Sequence, residues 1–232
     1  MDPDGLTLAA EFMPIFPIIG AIIGLIGGVL IWLLQPALPP LLASTIGLGV
    51  IVLMNGAQHV DGLLDFGDGI MCHGSRARKL KVMQDPHAGA GGIALGWIIL
   101  TATVFAIGPL TRNIVIQALI VSEDSGAFAM VFQAWRGHAA HKGMSSGFVT
   151  AMHSRWRNVR LVSAGLILIL IAVPALFTLG LAVVCTAVLV PAIMLHASNK
   201  AFGGITGDVM GATHEITRLA SLIIILAGFA WA

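Results

Sequence analysis

The feature that most constrains this chain is Ile15–Leu34, a run of twenty residues without a charged side chain. Further apolar runs follow it along the chain. A helix needs about 20 mostly apolar residues to cross the hydrocarbon core of a membrane. The chain of 232 residues is 57% hydrophobic and only 10% charged, which excludes an ordinary soluble domain. The sequence therefore predicts an all-α, polytopic transmembrane helix bundle, in which residues 1–232 form a single integral membrane domain.

The apolar runs predict about seven spans, within a range of six to eight. In chain order they are Ile15–Leu34, Leu41–Met54, Gly92–Leu110, the region from 112 to 143, Leu161–Phe177, Leu179–His196, and a helix from about Thr213 to the C-terminus. Within 112–143 the polar stretch Ser122–Gly126 is typical of a turn, and Ala127–Trp135 is short for a crossing. One broken helix with a re-entrant piece is the arrangement that this region favours.

Two further patterns bear on the first span. Its glycines form a small-residue stripe suited to close helix packing, at Gly20, Gly24, Gly27 and Gly28. The residues before it include Asp2, Asp4 and Glu11 and no base, so they lack the positively charged start of a secretory signal. We therefore expect the first apolar run to be retained as a span.

The basic residues predict the orientation of the bundle. With seven spans, eleven of the twelve Lys and Arg residues fall on one side, Arg218 among them, and only Arg112 falls on the other. The positive-inside rule makes the richer side cytoplasmic. The loops 55–92, 136–160 and 197–215 are then expected at the cytoplasmic face of the cell membrane, and the active site with them.

Four of the eleven acidic residues lie in the first of these loops. On a helix, the spacings of four and three put Asp61, Asp65 and Asp68 on one face, where their charges repel. If the helix continues from Met54, the negative end of its dipole disfavours them as well. A bound divalent cation would offset both effects, and oxygen-only ligands favour Mg²⁺ or Mn²⁺. The structural alternative is a solvated acidic helix end.

Basic residues follow the acids directly. Arg76, Arg78, Lys79 and Lys81 precede Asp85 and the glycine-rich segment AGAGG. Bases beside metal-binding acids suit a polyphosphate substrate, although a positive-inside signal or a contact with anionic lipid would give the same pattern. Asp85 lies four residues before Gly89 at the mouth of a span, and we expect it to be a further metal or substrate ligand.

The segment Gly203–Glu215, GGITGDVMGATHE, carries two more acids. Asp208 and Glu215 share one helical face, and the small residues Gly211 and Ala212 between them leave a path for a bulky ligand. Thr206 is placed to cap this helix. The segment is therefore predicted to be the second half of the site.

Three motifs, in order and with similar spacing over most of the chain, resemble those of cobalamin synthase, the adenosylcobinamide-GDP ribazoletransferase family. They are HVDGLLDFGDG from His59, the segment from Arg78 to Met83-Gln84-Asp85 with Gly89, and GGITGD from Gly203 with Gly211-Ala212 and Glu215. The chain departs from the family pattern at Pro86-His87, where Ser-x-Arg-type residues are common, and at Arg218, where an acid is frequent.

The resemblance implies a membrane enzyme that joins adenosylcobinamide-GDP to α-ribazole or its 5′-phosphate and releases GMP, late in vitamin B12 assembly. It implies Mg²⁺ as the cofactor and a set of site residues. The metal ligands would be Asp61, Asp65, Asp68, Asp85 and Asp208, the further catalytic candidates Glu215 and His59, and the substrate contacts Arg76, Arg78, Lys81, Arg136, Gly89 and Thr206. His59 lies about 200° around the helix from Asp61, so structural hydrogen bonding is its alternative role.

The expected partners are the two small-molecule substrates and membrane lipid, with no nucleic acid. A homo-oligomer, or a complex with other cobalamin-assembly enzymes, is left open, as is the choice between ribazole and its 5′-phosphate.

Two other functions compete with this one. A membrane CDP-alcohol phosphotransferase or prenyltransferase would also place aspartates at helix ends, but the chain lacks an Ala-Arg pair after Asp61-Gly62 and a second D-x-x-x-D. A divalent-cation transporter would instead favour acids in mid-span.

Overall fold

The structure, a computed structural model, describes residues 12–141 and 144–230. In this part of the chain a short 3₁₀ turn, Met13–Ile15, precedes ten α-helices, and the one β-type pairing is an isolated bridge between Ala139 and Ile205. The helices are α1 (Phe16–Leu34), α2 (Pro40–Met54), α3 (Gln58–Met71), α4 (Arg76–Val82), α5 (Ala90–Ile107), α6 (Val115–Arg136), α7 (Met144–Met152), α8 (Arg157–Leu176), α9 (Thr178–Phe202) and α10 (Gly207–Ala230). The all-α prediction is confirmed. The acidic residues before position 12 lie outside the described residues.

Six of these helices are long and apolar enough to cross a membrane: α1 with its 3₁₀ turn, α5, α6, α8, α9 and α10. The helices α2 and α3 form a pair bent by 92°, which adds a seventh span if the pair is counted as one. The prediction of a multi-pass bundle with six to eight spans is therefore confirmed. The last span begins at Gly207, earlier than the predicted Thr213, because the segment after Thr206 is already helical.

The bend between α2 and α3 corrects one expectation, since the helix does not continue out of Met54. The α2 helix ends in a Schellman motif, in which the Gly56 N–H donates to Leu53 O and the Ala57 N–H donates to Val52 O. Gly56 and Ala57 both have positive φ, +60° and +56°, which turns the chain sharply. Asp61 consequently lies in the first turn of a new helix, where the dipole favours an acid.

The region from 112 to 143 was also predicted wrongly, because residues 115–136 form one continuous helix, α6. Ser122–Gly126, taken for a polar turn, lies buried in the middle of this helix. Its two serines and Glu123 have partners within the bundle: Ser125 Oγ lies 2.8 Å from Ser221 Oγ of α10, and Glu123 Oε1 accepts from Arg218 Nη1. Both oxygens of the Asp124 carboxyl are buried without a hydrogen-bond partner among the described residues. A buried helix can carry such residues when a neighbouring helix supplies partners.

The helices α6 and α10 form the centre of the bundle. In each of them 72% of the most apolar stretch is buried, against 22–39% in the other candidate spans. The glycine stripe of α1 packs closely against neighbouring helices, as predicted, and its main partner is α6: a Cβ at Gly20 would lie 2.6 Å from Glu123 O, and one at Gly28 would lie 2.9 Å from the Ile116 Cα. Small residues at these positions let the two backbones approach closely.

The connecting segments gather at the two ends of the bundle. At one end Gln35 Nε2 donates to Leu110 O, and the Arg112 guanidinium lies 4.1 Å from the centre of the Trp32 ring. At the other end Ala140 N donates to Ile205 O. Arg76 Nε also donates there, to Lys200 O. Since α5 and α6 run between these ends, the segments after α3, α6 and α9 share one end of the molecule.

Candidate active site

The acid-bearing helices α3 and α10 cross at very short distance. A Cβ added to Gly62 of α3 would lie 2.8 Å from the Asp208 Cα, and one added to Gly211 of α10 would lie 3.1 Å from the His59 Cα. A side chain at either glycine would therefore force the helices apart. The two predicted halves of the site are thus brought into direct contact.

This crossing brings three of the predicted acids together. Asp61 is exposed at the start of α3, while Asp65 of α3 and Asp208 of α10 are half-buried. The charges of Asp208, Asp61 and Asp68 all act on the Asp65 carboxylate, and the charge of Asp61 acts on that of Asp208. Asp61, Asp65 and Asp208, called here the acid cluster, are three carboxylates whose charges act on one another. Carboxylate oxygens are the protein ligands that Mg²⁺ prefers, and the binding of an ion by these acids stays a prediction.

Asp68 occupies a different position on the same helix. Its Oδ2 accepts a hydrogen bond of 2.6 Å from the Gly89 N–H, and its Oδ1 accepts one of 2.8 Å from the Gly92 N–H. Both oxygens therefore contact the N-terminus of α5, where free amides and the helix dipole favour an anion. Gly89, the predicted substrate contact, uses its N–H in this interaction. A role of Asp68 in metal binding stays a prediction.

Asp85 faces solvent in the turn before α5. Its Oδ1 accepts hydrogen bonds from the backbone N–H of His87, at 3.0 Å, and lies 2.9 Å from His87 Nδ1. The backbone hydrogen bond from His87, supported by its imidazole, lowers the pKa of the Asp85 carboxyl. Its interactions thus lie in its own turn, and its role as a metal or substrate ligand stays a prediction.

The predicted substrate contacts lie around the same end of the bundle. Arg76, Arg78, Lys81 and Arg136 are all exposed, and Arg76 reaches the end of α9 through its hydrogen bond to Lys200 O. Thr206 caps α10 as predicted, because its Oγ1 accepts from the Val209 N–H at 3.2 Å. The same hydroxyl donates to Asp208 Oδ2 at 3.2 Å, which orients that carboxylate.

A family model described as cobalamin-5-phosphate synthase matches residues 3–226. The chain belongs to this family. The match covers all three sequence motifs and confirms the resemblance on which the predicted site was based. No solved structure matches the chain.

Several curated relatives match this chain over most of its length. A protein of Methanocella arvoryzae is 31% identical over 91% of this chain and 82% of its own length. A protein of Shigella flexneri is 31% identical over 91% of this chain and 85% of its own length. A protein of Pyrococcus abyssi is 29% identical over 90% of this chain and 85% of its own length. Each of the three is named adenosylcobinamide-GDP ribazoletransferase.

Sequence reasoning missed a buried ionic network between α6 and α10. Arg218 Nη1 donates to Glu123 Oε1 at 3.2 Å, and Arg218 Nη2 contacts Glu215 Oε2. His214 lies between the same two acids, with Nε2 3.5 Å from Glu123 Oε2 and Nδ1 3.7 Å from Glu215 Oε1. All four side chains are at most 2% exposed. The synthase family's last motif thus continues into the core, and its Glu215 contacts this network instead of the acid cluster.

The network corrects the basic-residue count as well. Arg218 was counted among the eleven bases on one side of the membrane, but it lies fully buried within α10, which leaves ten. The signal that could have revealed the network was the pair Glu123-Asp124 inside an otherwise apolar stretch. Intramembrane acids of this kind commonly have a buried partner.

His59 also belongs to this region and not to the exposed side of α3. Its ring stacks on that of His214, with 4.1 Å between the centroids. Its Nδ1 is buried and has no hydrogen-bond partner. The angle of about 200° from Asp61 thus has a structural consequence: His59 turns toward α10, whereas Asp61 turns toward the surface.

Proposed function

We propose that this member of the cobalamin-5-phosphate synthase family joins adenosylcobinamide-GDP to α-ribazole or its 5′-phosphate and releases GMP. The observation that carries the proposal is the acid cluster. The Gly62–Asp208 contact brings together acids from the first and the last of the three motifs, both of which lie within the match to the cobalamin-5-phosphate synthase family. The names of the curated relatives support the same reaction.

Mg²⁺ dependence is part of this proposal. Asp61 and Asp65 would hold the ion, with Asp85 as a further ligand, because carboxylate oxygens and substrate phosphates are the donors that Mg²⁺ prefers. When bound, the ion supplies charge neutralisation at the diphosphate and stabilises the departing phosphate. The mutual repulsion within the acid cluster supports a cation there.

The reaction requires one bond to form at phosphorus and one to break. The ribazole 3′-hydroxyl oxygen attacks the phosphorus attached to cobinamide, the bond from that phosphorus to the bridging oxygen breaks, and GMP leaves with this oxygen. A carboxylate of the acid cluster accepts the hydroxyl proton. We assign this task to Asp208, because Thr206 Oγ1 orients its carboxylate and because Glu215 is occupied by Arg218.

The exposed bases would bind the rest of the diphosphate. Arg76, Arg78 and Lys81 follow the acid-bearing helix directly, and Arg136 ends α6 at the same end of the bundle. Guanidinium groups form bidentate hydrogen bonds with phosphate oxygens. This end would face the cytoplasm, which the concentration of bases there supports.

The experiment is a reconstitution of the purified protein in lipid vesicles with adenosylcobinamide-GDP and α-ribazole. GMP release should require both substrates and Mg²⁺, and EDTA should abolish it. Absence of GMP release from a protein that binds neither substrate would contradict the proposal. Mg²⁺ flux across the vesicles without any nucleotide would support a transporter in its place.

A further inference from the structure

Two histidines and a glutamate meet where α3 crosses α10. One ring nitrogen each from His59 and His214 and one carboxylate oxygen of Glu215 lie within 4.8 Å of one another. His214 and Glu215 are 2% and 1% exposed, and His59 is half-buried. Metal–ligand distances in proteins are about 2.0–2.2 Å for these atom types. Small side-chain movements would therefore bring all three atoms onto one ion.

The free atoms of this group point to a ligand. The Nδ1 atoms of both imidazoles are buried and have no hydrogen-bond partner. A buried polar atom without a partner is energetically unfavourable relative to a paired one. Two such nitrogens on neighbouring rings, beside a carboxylate, form a donor set that a metal ion would satisfy.

Charged groups lie beside two of the three donors, His214 and Glu215, as the outer groups of a metal centre commonly do. His214 presents its other nitrogen, Nε2, to Glu123 Oε2 at 3.5 Å, and Arg218 contacts the oxygen of Glu215 that faces away from His214. Ligating histidines usually donate their second N–H to a carboxylate, and ligating carboxylates are themselves hydrogen-bonded. His214 and Glu215 thus each have a charged side chain beside the atom that faces away from the other donors.

The charge balance favours a cation as well. Glu123 and Glu215 carry two negative charges and Arg218 one positive charge, all fully buried. One negative charge is left over when both histidines are neutral. Uncompensated buried charge is strongly unfavourable, so a cation bound between His59, His214 and Glu215 would stabilise the network.

We propose that His59, His214 and Glu215 form a second metal centre, which binds a borderline divalent ion such as Zn²⁺ or Co²⁺ and ties α3 to α10. Imidazole nitrogen selects such ions over Mg²⁺, which prefers oxygen. The centre is distinct from the acid cluster, because His59 and Asp61 lie on opposite sides of α3. With three protein ligands it keeps one position for water. The proposal stands independently of the proposed transferase activity.

The test uses the full-length chain without a histidine tag, purified in detergent, stripped of metal and kept in excess Mg²⁺. Titration with Co²⁺ should give one bound ion per chain, with visible absorption bands of a nitrogen-ligated site. X-ray absorption of the Zn²⁺-loaded protein should show two imidazoles around the metal. Absence of stoichiometric binding, displacement by Mg²⁺, or fewer than two imidazoles would overturn the proposal without any variant.

Substitutions then locate the ion. His59→Gln should weaken Co²⁺ binding at least 100-fold, and Glu123→Gln, which removes an orienting carboxylate, should weaken it about 10–100-fold. His73→Gln, at an exposed loop histidine, is the matched control and should leave binding unchanged. Equal binding by the His59→Gln and His73→Gln proteins would overturn the assignment. GMP release is measured separately, so that failure of either proposal can be told from failure of the other.

Discussion

Gly62 of α3 lies directly against the backbone of Asp208 of α10. A Cβ at position 62 would be 2.8 Å from the Asp208 Cα and 2.9 Å from its carbonyl oxygen. Because Asp61 and Asp65 flank this glycine on α3, the contact sets the separation between the two halves of the acid cluster. The close approach of the helices is therefore a condition for the site as well as for packing.

Gly62→Ala should separate α3 from α10 and lower both stability and activity. Overpacking of this kind typically costs about 1–3 kcal/mol, more than the gain of about 1 kcal/mol that alanine brings to a helix. Thermal unfolding in detergent and the rate of GMP release measure the two effects. The matched control is Gly49→Ala of α2, which has nothing within 4 Å and should leave both unchanged or raise stability. Equal behaviour of the two variants would count against the close crossing.

Asp68 should act mainly as the N-terminal cap of α5. Asp68→Ala removes both acceptors of the Gly89 and Gly92 amides and should destabilise the protein by about 0.5–2 kcal/mol. Asp68→Asn keeps one acceptor oxygen and should recover most of this loss. It should also retain at least tenfold more GMP release than Asp65→Asn. Equally severe loss of activity in both Asn variants would instead show that Asp68 holds the metal directly.

Arg218→Met should leave Glu123 and Glu215 buried without their shared counter-charge. Removing one partner from a buried ion pair costs about 3–5 kcal/mol, so thermal unfolding should occur at a much lower temperature. Adding Glu215→Gln should restore part of the stability, because it removes one of the stranded charges. Arg155→Met is the control, since Arg155 is exposed over the Trp156 ring and contributes at most about 1 kcal/mol. An effect of Arg218→Met no larger than this would contradict the network.

The orientation can be tested by single cysteines in a background without Cys72 and Cys185. Asn113→Cys, in the turn between α5 and α6, should react with a membrane-impermeant maleimide in intact cells. Gln84→Cys, in the segment between α4 and α5, should react only after permeabilisation. Both positions are exposed, so access depends on the membrane alone. The reversed pattern would place the acid cluster on the outer side and contradict the positive-inside argument.

The sequence was sufficient to predict the helical class, most spans, the glycine stripe of α1 and the cap at Thr206, because each depends on neighbours within a few residues. The end of α2 carried a local signal too, the dipeptide Asn55-Gly56, which is typical of a helix stop. The acids at spacings of four and three suit a continuing helix equally well, so this dipeptide alone does not decide where the helix ends.

The buried network could not be predicted in the same way. Glu123 and Arg218 are 95 residues apart in the chain, and a single sequence does not show which distant residues meet. Without that partner, the polar stretch around Glu123 has the composition of a turn. The different surroundings of Asp208 and Glu215 likewise depend on which helix packs on each, although both lie on one face of α10.

Acids from α3 and α10 are proposed to form one Mg²⁺-dependent site. The most direct measurement is Mg²⁺-dependent GMP release by Asp65→Asn and Asp208→Asn, each confirmed to be inserted in the membrane and folded. Both variants should lose at least 100-fold in rate, because each removes a charged ligand or base from the reacting phosphates. Near-normal turnover in both would contradict a site shared between the two helices.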